Sequence, residues 1–204
     1  AKRRLLLFDY DGTLAPIRSR PEEAVPSHRL CELLRTLGTD AANRVVICSG
    51  RDSGTLEKWF GGLPVSLAAE HDAFYKDRGA WRCNIRPASW DPKLSALLEH
   101  FARKTPRSRI ERKQTALAWH YREADSWLGQ LRAQQLVNAL MPLCARLNLH
   151  ILQGDKVVEI KSPRFTKGSE TLRLLRQERY DFILALGNDT TDDDIFAALP
   201  PRAL

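Results

Sequence analysis

Near-continuous apolar runs separated by stretches of helical period set the pattern of this chain. The runs are RLLLFD (4–9), RVVICS (44–49), PVSLAAE (64–70) and DFILALG (181–187). Each has the length of a strand and is apolar enough to be buried on both faces. In SHRLCELLRTLG, Leu30, Leu33, Leu34 and Leu37 recur on one helical face, with Ser27 placed to cap the start and Gly38 to supply the stop. In TKGSETLRLLRQE, Leu172 and Leu175 mark a second apolar face before Phe182 opens the next strand. Such strands alternating with helices predict a parallel, doubly wound α/β sheet. Three strands end in polar residues, FDYD, CSGR and GNDTTDDD. In open α/β sheets the ligand sits beyond the carboxyl ends of the strands, so these endings are expected to meet at one site.

Residues 76 to 156 follow another pattern. DPKLSALLEHFARK has Asp91 at an N-cap position, Pro92 at the first helical position and an apolar face of Leu94, Leu97, Leu98 and Phe101. RIERKQTALAWHYR then reads as strand, turn, strand, and DSWLGQLRAQQLVNALMPL as a helix disturbed near Pro142. Helix, hairpin, helix and strand in this order predict an antiparallel sheet with helices on one side. The expected organisation is a core of residues 1–75 and 157–204 with a small α+β domain, residues 76–156, inserted between two of its strands. The ending FAALPPRAL suggests one further strand or helix beyond it.

Composition narrows the partners. The net charge of +7 invites a nucleic-acid reading, but the arginines are spread along the chain. The densest basic stretch, RKTPRSRIERK (103–113), carries no aromatic residue on which a base can stack. A basic field that attracts a small anionic substrate fits the same charge. No apolar run reaches the roughly 18 residues of a membrane span, so no membrane partner is expected. Cys31, Cys48, Cys83 and Cys144 form no CxxC pair and read as reduced thiols of a cytoplasmic protein.

The candidate chemistry begins at DYDGT. Asp9 and Asp11 at the end of a buried strand repel each other and call for a cation or a shared proton. Magnesium suits them, being a hard ion that takes oxygen ligands and keeps waters or phosphate oxygens. GNDTTDDD supplies Asp189 and Asp192 as further metal candidates, whereas Asp193 and Asp194 fit the first turn of a helix. Ser49 can donate a hydroxyl to phosphate, and Gly50 lets the backbone approach it. Lys167, at a predicted helix start, would face the same anion together with free N–H groups.

Through DYDGT, Ser49, Lys167 and GNDTTD, in that order, the chain resembles the haloacid dehalogenase-like (HAD) phosphohydrolases. More finely, it resembles the trehalose-6-phosphate phosphatase family. FDYDGTLAPI, ICSGRD, AEHDAF, IERKQTALAWHYR, VVEIKSP, TKGSE and GNDTTDDDIF carry that likeness over nearly the whole chain. The resemblance implies a Rossmann-like HAD core with an inserted α+β cap, and a cytoplasmic, magnesium-dependent phosphatase of trehalose biosynthesis acting on a sugar phosphate. It implies Asp9 as nucleophile and Asp11 as the acid that protonates the sugar oxygen and then serves as base. Ser49, Gly50 and Lys167 would hold the phosphoryl group. The metal ligands map onto Asp9, the Asp11 carbonyl and the motif of Asn188, Asp189 and Asp192. Sugar contacts map onto Glu111, Lys113, Arg122 and Glu159, with His120 beside them; residues two apart on a strand share a face, which pairs Glu111 with Lys113, His120 with Arg122 and Glu159 with Lys161. Arg51 and His71 flank the core site.

Two positions depart from the family. Asn188 stands where relatives usually carry Asp, so metal affinity should fall unless Asp189 or Asp192 compensates. Asp72 stands where glycine is more usual. Two other functions therefore stay open: a catalytically weak, regulatory domain fused to or associated with a trehalose-6-phosphate synthase, and a phosphatase for another sugar phosphate.

Overall fold

The computed structural model describes residues 2–77, 79–83, 90–163 and 166–204. The chain forms two compact units, residues 1–85 with 165–204, and residues 86–164. The first unit begins with β1 (Arg4–Asp9), α1 (His28–Thr39), β2 (Asn43–Cys48), α2 (Ser53–Phe60), β3 (Ser66–Ala69), β4 (Phe74–Lys76) and β5 (Arg82–Cys83). The second contains α3 (Pro92–Arg103), β6 (Arg109–Arg112), β7 (Ala116–His120), α4 (Ser126–Leu147), β8 (His150–Gly154) and β9 (Val157–Lys161). The chain then returns to the first unit with α5 (Lys167–Gln177), β10 (Phe182–Leu186) and α6 (Asp193–Ala198).

The first sheet runs β10-β1-β2-β3-β4-β5, parallel from β10 to β3 and antiparallel beyond. Period two divides each central strand between two cores. Leu6, Phe8, Val45, Ile47 and Leu67 pack with Leu34 of α1 and Leu56 and Phe60 of α2. Leu5, Leu7, Val46, Cys48 and Ala68 pack with Leu174 of α5 and Ile195 of α6. Each such leucine, fully buried, contributes about 1.5–3 kcal/mol. The arrangement is the doubly wound α/β class expected from the runs. Because β1 lies between β2 and β10, whose connecting helices cover opposite faces, the chain diverges at the carboxyl end of β1.

The second sheet is antiparallel in the order β6-β7-β9-β8. Leu117, Trp119, Val158 and Ile160 share its face toward α3 and α4, packing with Leu94, Leu98 and Phe101 and with Leu136, Val137, Leu140 and Cys144. The alternate residues form a polar face.

Three expectations need correction. Residues 157–161 were expected in the core, but β9 pairs with β7 and β8 and so completes the second sheet, while β5 extends the first sheet to Cys83. Pro142 does not interrupt α4: it faces solvent, where the carbonyl it leaves unpaired can bond water, and the buried face continues to Cys144. Gly38 does not stop α1, which runs on to Thr39, although Ser27 does cap it by accepting the Leu30 N–H at 3.2 Å. Gly38 instead admits a neighbouring backbone, since a Cβ there would lie 2.2 Å from the Pro64 carbonyl oxygen.

That contact decides between two opposed effects. Helix propensity favours Gly38→Ala by about 1 kcal/mol, while the overlap with a backbone oxygen costs about 1–3 kcal/mol. Gly38→Ala is expected to lower the melting temperature by several degrees, and a rise would show that the Pro64 segment yields freely.

Candidate active site

Asp9 ends β1 as a buried carboxylate, and Lys167 opens α5. Lys167 is placed by a capping box, in which Thr166 and Ser169 bond each other's backbone, and by Asp72, whose Oδ2 accepts the Glu170 N–H at 2.9 Å. Its Nζ donates to Asp9 Oδ1 at 2.7 Å and to Asp192 Oδ1 at 2.8 Å. Asp192 is fully buried, and its Oδ2 accepts the N–H groups of Asn188 at 2.9 Å and Asp189 at 3.1 Å. One ammonium thus joins the end of β1, the start of α5 and the loop after β10.

The Asp9 carboxyl is pushed up to about 6, chiefly by burial, with Lys167 working to lower it and the Asp192 and Asp189 charges adding to the rise. Burial alone would lower the Lys167 ammonium, but the carboxylates of Asp9, Asp192 and Asp189 override it and hold the group above its ordinary value. Burial likewise works to raise Asp189, yet Lys167 and the Thr191 hydrogen bonds bring it below the usual carboxylate range.

After Asp9 the chain turns back within a few residues. Gly12 has φ +94, and its N–H donates to the Ala15 carbonyl at 2.7 Å. A Cβ on Gly12 would lie 2.4 Å from the Asn188 amide, so the turn needs glycine both for its backbone and for its space. Asp11, on this turn, accepts from Arg51 Nε at 2.8 Å and Nη2 at 2.6 Å. Buried Ser49 accepts the Arg51 N–H on its Oγ at 3.2 Å. His71 packs against Gly50, its Nε2 lying 3.0 Å from where a Cβ would be. Glu70, His71 and Asp72 are left-handed in succession, with φ 48, 54 and 68. Glycine would take the last conformation without strain; Asp72 bears it and uses its carboxylate to hold the start of α5.

On the polar face of the second sheet, Lys113 Nζ donates to Glu159 Oε2 at 2.7 Å, and His120 Nε2 lies 2.7 Å from Glu111 Oε2. Burial would raise Glu111, but the His120 hydrogen bond and the Lys113 charge bring it below its ordinary value. Glu159 and Lys161 are buried on the same face. Arg122 is not part of this ladder. β7 ends at His120, the Tyr121 N–H turns to the Lys156 carbonyl at 3.0 Å, and Arg122 donates to Asp155 at 2.6 and 2.8 Å.

Within the first unit, the three strand endings come together as Asp9, Asp11, Ser49, Gly50, Asn188, Asp189 and Asp192, joined by Lys167. Asp192, expected among the metal ligands, has one oxygen bonded to the Lys167 ammonium and the other to the amides of Asn188 and Asp189. Asp189 turns its Oδ1 to the Thr191 N–H at 2.8 Å and hydroxyl at 2.6 Å. The bond between Arg51 and Asp11 was not foreseen, because nothing in the spacing of residues 11 and 51 marks it.

The donor set fits a hard cation. Neighbouring oxygens on an octahedron around magnesium lie about 2.9 Å apart. The tip of the Asn188 amide lies 2.9 Å from the Asp11 carbonyl oxygen and 3.2 Å from Asp9 Oδ2. With its nitrogen at that tip the amide donates to both; with its oxygen there, three oxygens converge as a cation requires. Among the described residues no group of three His, Cys, Asp or Glu side chains is placed to hold a metal. The set instead combines one carboxylate, one carbonyl and one amide.

The trehalose-phosphatase family profile matches residues 7–203. The chain belongs to the trehalose-phosphatase family. It is 42% identical to the trehalose-phosphatase of Zygosaccharomyces rouxii, over 98% of this chain and 25% of that protein. It is 41% identical to the bifunctional trehalose-6-phosphate synthase/phosphatase of Thermoproteus tenax, over 100% of this chain and 28% of that protein. The chain therefore spans about a quarter of the length of these curated relatives. The C-terminal domain of the Candida albicans trehalose-6-phosphate phosphatase superposes with a TM-score of 0.90 at 38% identity, covering 97% of this chain and 73% of that domain. The fold, a Rossmann-like α/β core with a second α+β unit, is also that of a phosphatase of the HAD superfamily from Bacteroides thetaiotaomicron, which superposes with a TM-score of 0.61 at 16% identity, covering 97% of this chain and 81% of that one. Trehalose phosphatases of this superfamily form a class that generally uses a divalent metal.

In this family member, removing the ammonium while keeping the side-chain length isolates the central interaction. Lys167→Met leaves Asp9 and Asp192 buried without a cation, which costs about 3–5 kcal/mol. Denaturant unfolding should show that loss, and an unchanged midpoint would mean that the buried carboxylates do not depend on the lysine.

Proposed function

We propose that the chain hydrolyses trehalose 6-phosphate to trehalose and phosphate through a phosphorylated Asp9, as the catalytic part of a trehalose-synthesising protein. The observation that carries this reading is the buried Asp9–Lys167–Asp192 unit beside Asp11 at the divergence point of a trehalose-phosphatase fold. We assign the attack on phosphorus to the Asp9 carboxylate. The bond from phosphorus to the sugar oxygen breaks, and Asp11 gives that oxygen its proton. A water then attacks the phosphorus, the acyl-phosphate bond breaks, and Asp11 takes the water's proton, restoring Asp9 and releasing phosphate. Lys167 and Ser49 would hold phosphoryl oxygens while charge shifts among them.

Asp9, the Asp11 carbonyl and Asn188 would hold magnesium. When bound, the ion offsets the negative charge that otherwise keeps carboxylate and phosphate apart. We assign sugar recognition to Glu111, Lys113, His120 and Glu159, since charged side chains form strong hydrogen bonds to neutral hydroxyls. Arg122, committed to Asp155, is a weaker candidate. The naming of relatives as synthase/phosphatase fusions supports a synthase as covalent or associated partner. We place the protein in the cytoplasm on the reading of its cysteines as reduced thiols; among the described residues no helix is long and apolar enough to cross a membrane.

Phosphate release from trehalose 6-phosphate, glucose 6-phosphate and sucrose 6-phosphate tests the substrate. Selective release from the first, abolished by chelator, is expected; no release from any of them by folded protein would favour the regulatory alternative that Asn188 keeps open. Asp9→Asn should lose essentially all turnover and keep the fold, so substantial residual activity would exclude the aspartyl-phosphate route. Glu111→Ala should lower kcat/KM on trehalose 6-phosphate at least about tenfold more than on a small aryl phosphate, a contrast of roughly 1.4 kcal/mol in transition-state binding. Equal losses on the two would remove Glu111 from sugar recognition.

A further inference from the structure

Arg51 is held by more than its charge. Its Nε and Nη2 donate to the two oxygens of Asp11 at 2.8 and 2.6 Å, the planar fork-on-fork geometry of a strong pair. Its guanidinium carbon lies 4.5 Å from the centroid of the Trp59 ring and 5.6 Å from that of Tyr10. Those rings are fixed in turn. Tyr10 and Trp59 lie 5.4 Å apart, both pack against buried Phe60, and the Tyr10 hydroxyl donates to the Ala24 carbonyl at 2.5 Å. The Arg51 side chain is 11% exposed against 37% for Asp11, so the arginine is the more deeply anchored partner and the carboxylate the more exposed one.

A carboxyl group on a short turn can take several orientations, and an acid must lie within hydrogen-bond reach of the oxygen it protonates. The fork restrains the plane of the Asp11 carboxyl, and the stacked rings restrain the fork. A lysine would supply the same charge without the plane or the stack.

We propose that Arg51, clamped by Trp59 and Tyr10, is the positioning residue that orients Asp11 for proton transfer and is not a ligand of the phosphoryl group. The inference rests on the phosphatase reading above, in which Asp11 has a proton to deliver. It has a signature that a structural or phosphate-binding role lacks. The alkoxide of a sugar is a poor leaving group and needs the proton, whereas 4-nitrophenolate leaves without it. Loss of orientation therefore falls on the sugar phosphate alone, while loss of a phosphate ligand falls on both substrates.

The test measures kcat/KM, which reports transfer of the phosphoryl group to Asp9, for trehalose 6-phosphate and 4-nitrophenyl phosphate with wild type, Arg51→Gln, Arg51→Lys and Trp59→Leu. For Arg51→Gln the expected loss on trehalose 6-phosphate is on the order of a hundredfold, within the range of general acid catalysis, with a loss under about threefold on the aryl ester. Arg51→Lys and Trp59→Leu should fall between wild type and Arg51→Gln on the sugar phosphate and likewise spare the aryl ester. Trp59→Leu removes no charge and decides the question should Arg51→Gln fail to fold. Equal losses on both substrates, or none on either, overturn the inference alone. A folded wild type active on neither substrate overturns the phosphatase reading and this inference with it.

Discussion

A single buried ammonium organises the first unit. Two carboxylates out of water repel each other and are each costly to desolvate, by several kcal/mol per ion even after relaxation. Lys167 meets both Asp9 and Asp192 within 2.8 Å, and the remaining oxygen of Asp192 is taken by the amides of the loop after β10. The three residues come from opposite ends of the chain, and pairing with the shared ammonium offsets part of the cost of burying each carboxylate. The same arrangement leaves Asp9 Oδ2 near the Asp11 carbonyl and Asn188, where an oxygen-ligated cation fits.

Around that ion cluster the backbone departs from regular structure. Gly12 is left-handed in the turn that carries Asp11, and Glu70, His71 and Asp72 are left-handed beside Ser49 and Gly50. The sheet interiors, by contrast, are regular and apolar, with Leu5, Leu7, Val46 and Ile47 fully buried. Strain of this kind persists only where the surroundings over-determine it. Here the anchor is explicit, since the Asp72 carboxylate bonds the first turn of the helix that carries Lys167.

Several elements were legible because their cause is local. RLLLFD and RVVICS are apolar at every position that two cores must fill, and Ser27, Asp91 and Pro92 mark helix starts by chemistry that involves only their own helix. The errors lie where the cause is distant. Gly38 has the form of a helix stop, but its reason is the approach of Pro64. Pro142 has the form of a helix break, yet it faces solvent while the opposite side of α4 is buried. VVEIK, expected in the core, takes β7 and β8 as its pairing partners.

The order of the motifs and the residue types they contain determined, without any coordinates, that Asp9, Asp11, Ser49 and Lys167 lie at element ends in an α/β protein with an insert. Period and composition suffice for that, because burial on both faces and helix capping follow from side chains close in sequence. Tertiary structure alone decided which partners those residues take. Asp192 bonds Lys167, Arg51 grips Asp11, and Arg122 leaves the polar face for Asp155. Hydrogen bonds and ion pairs act over about 3 Å of space, and which charges fall within that reach is settled only when separate strands and helices pack.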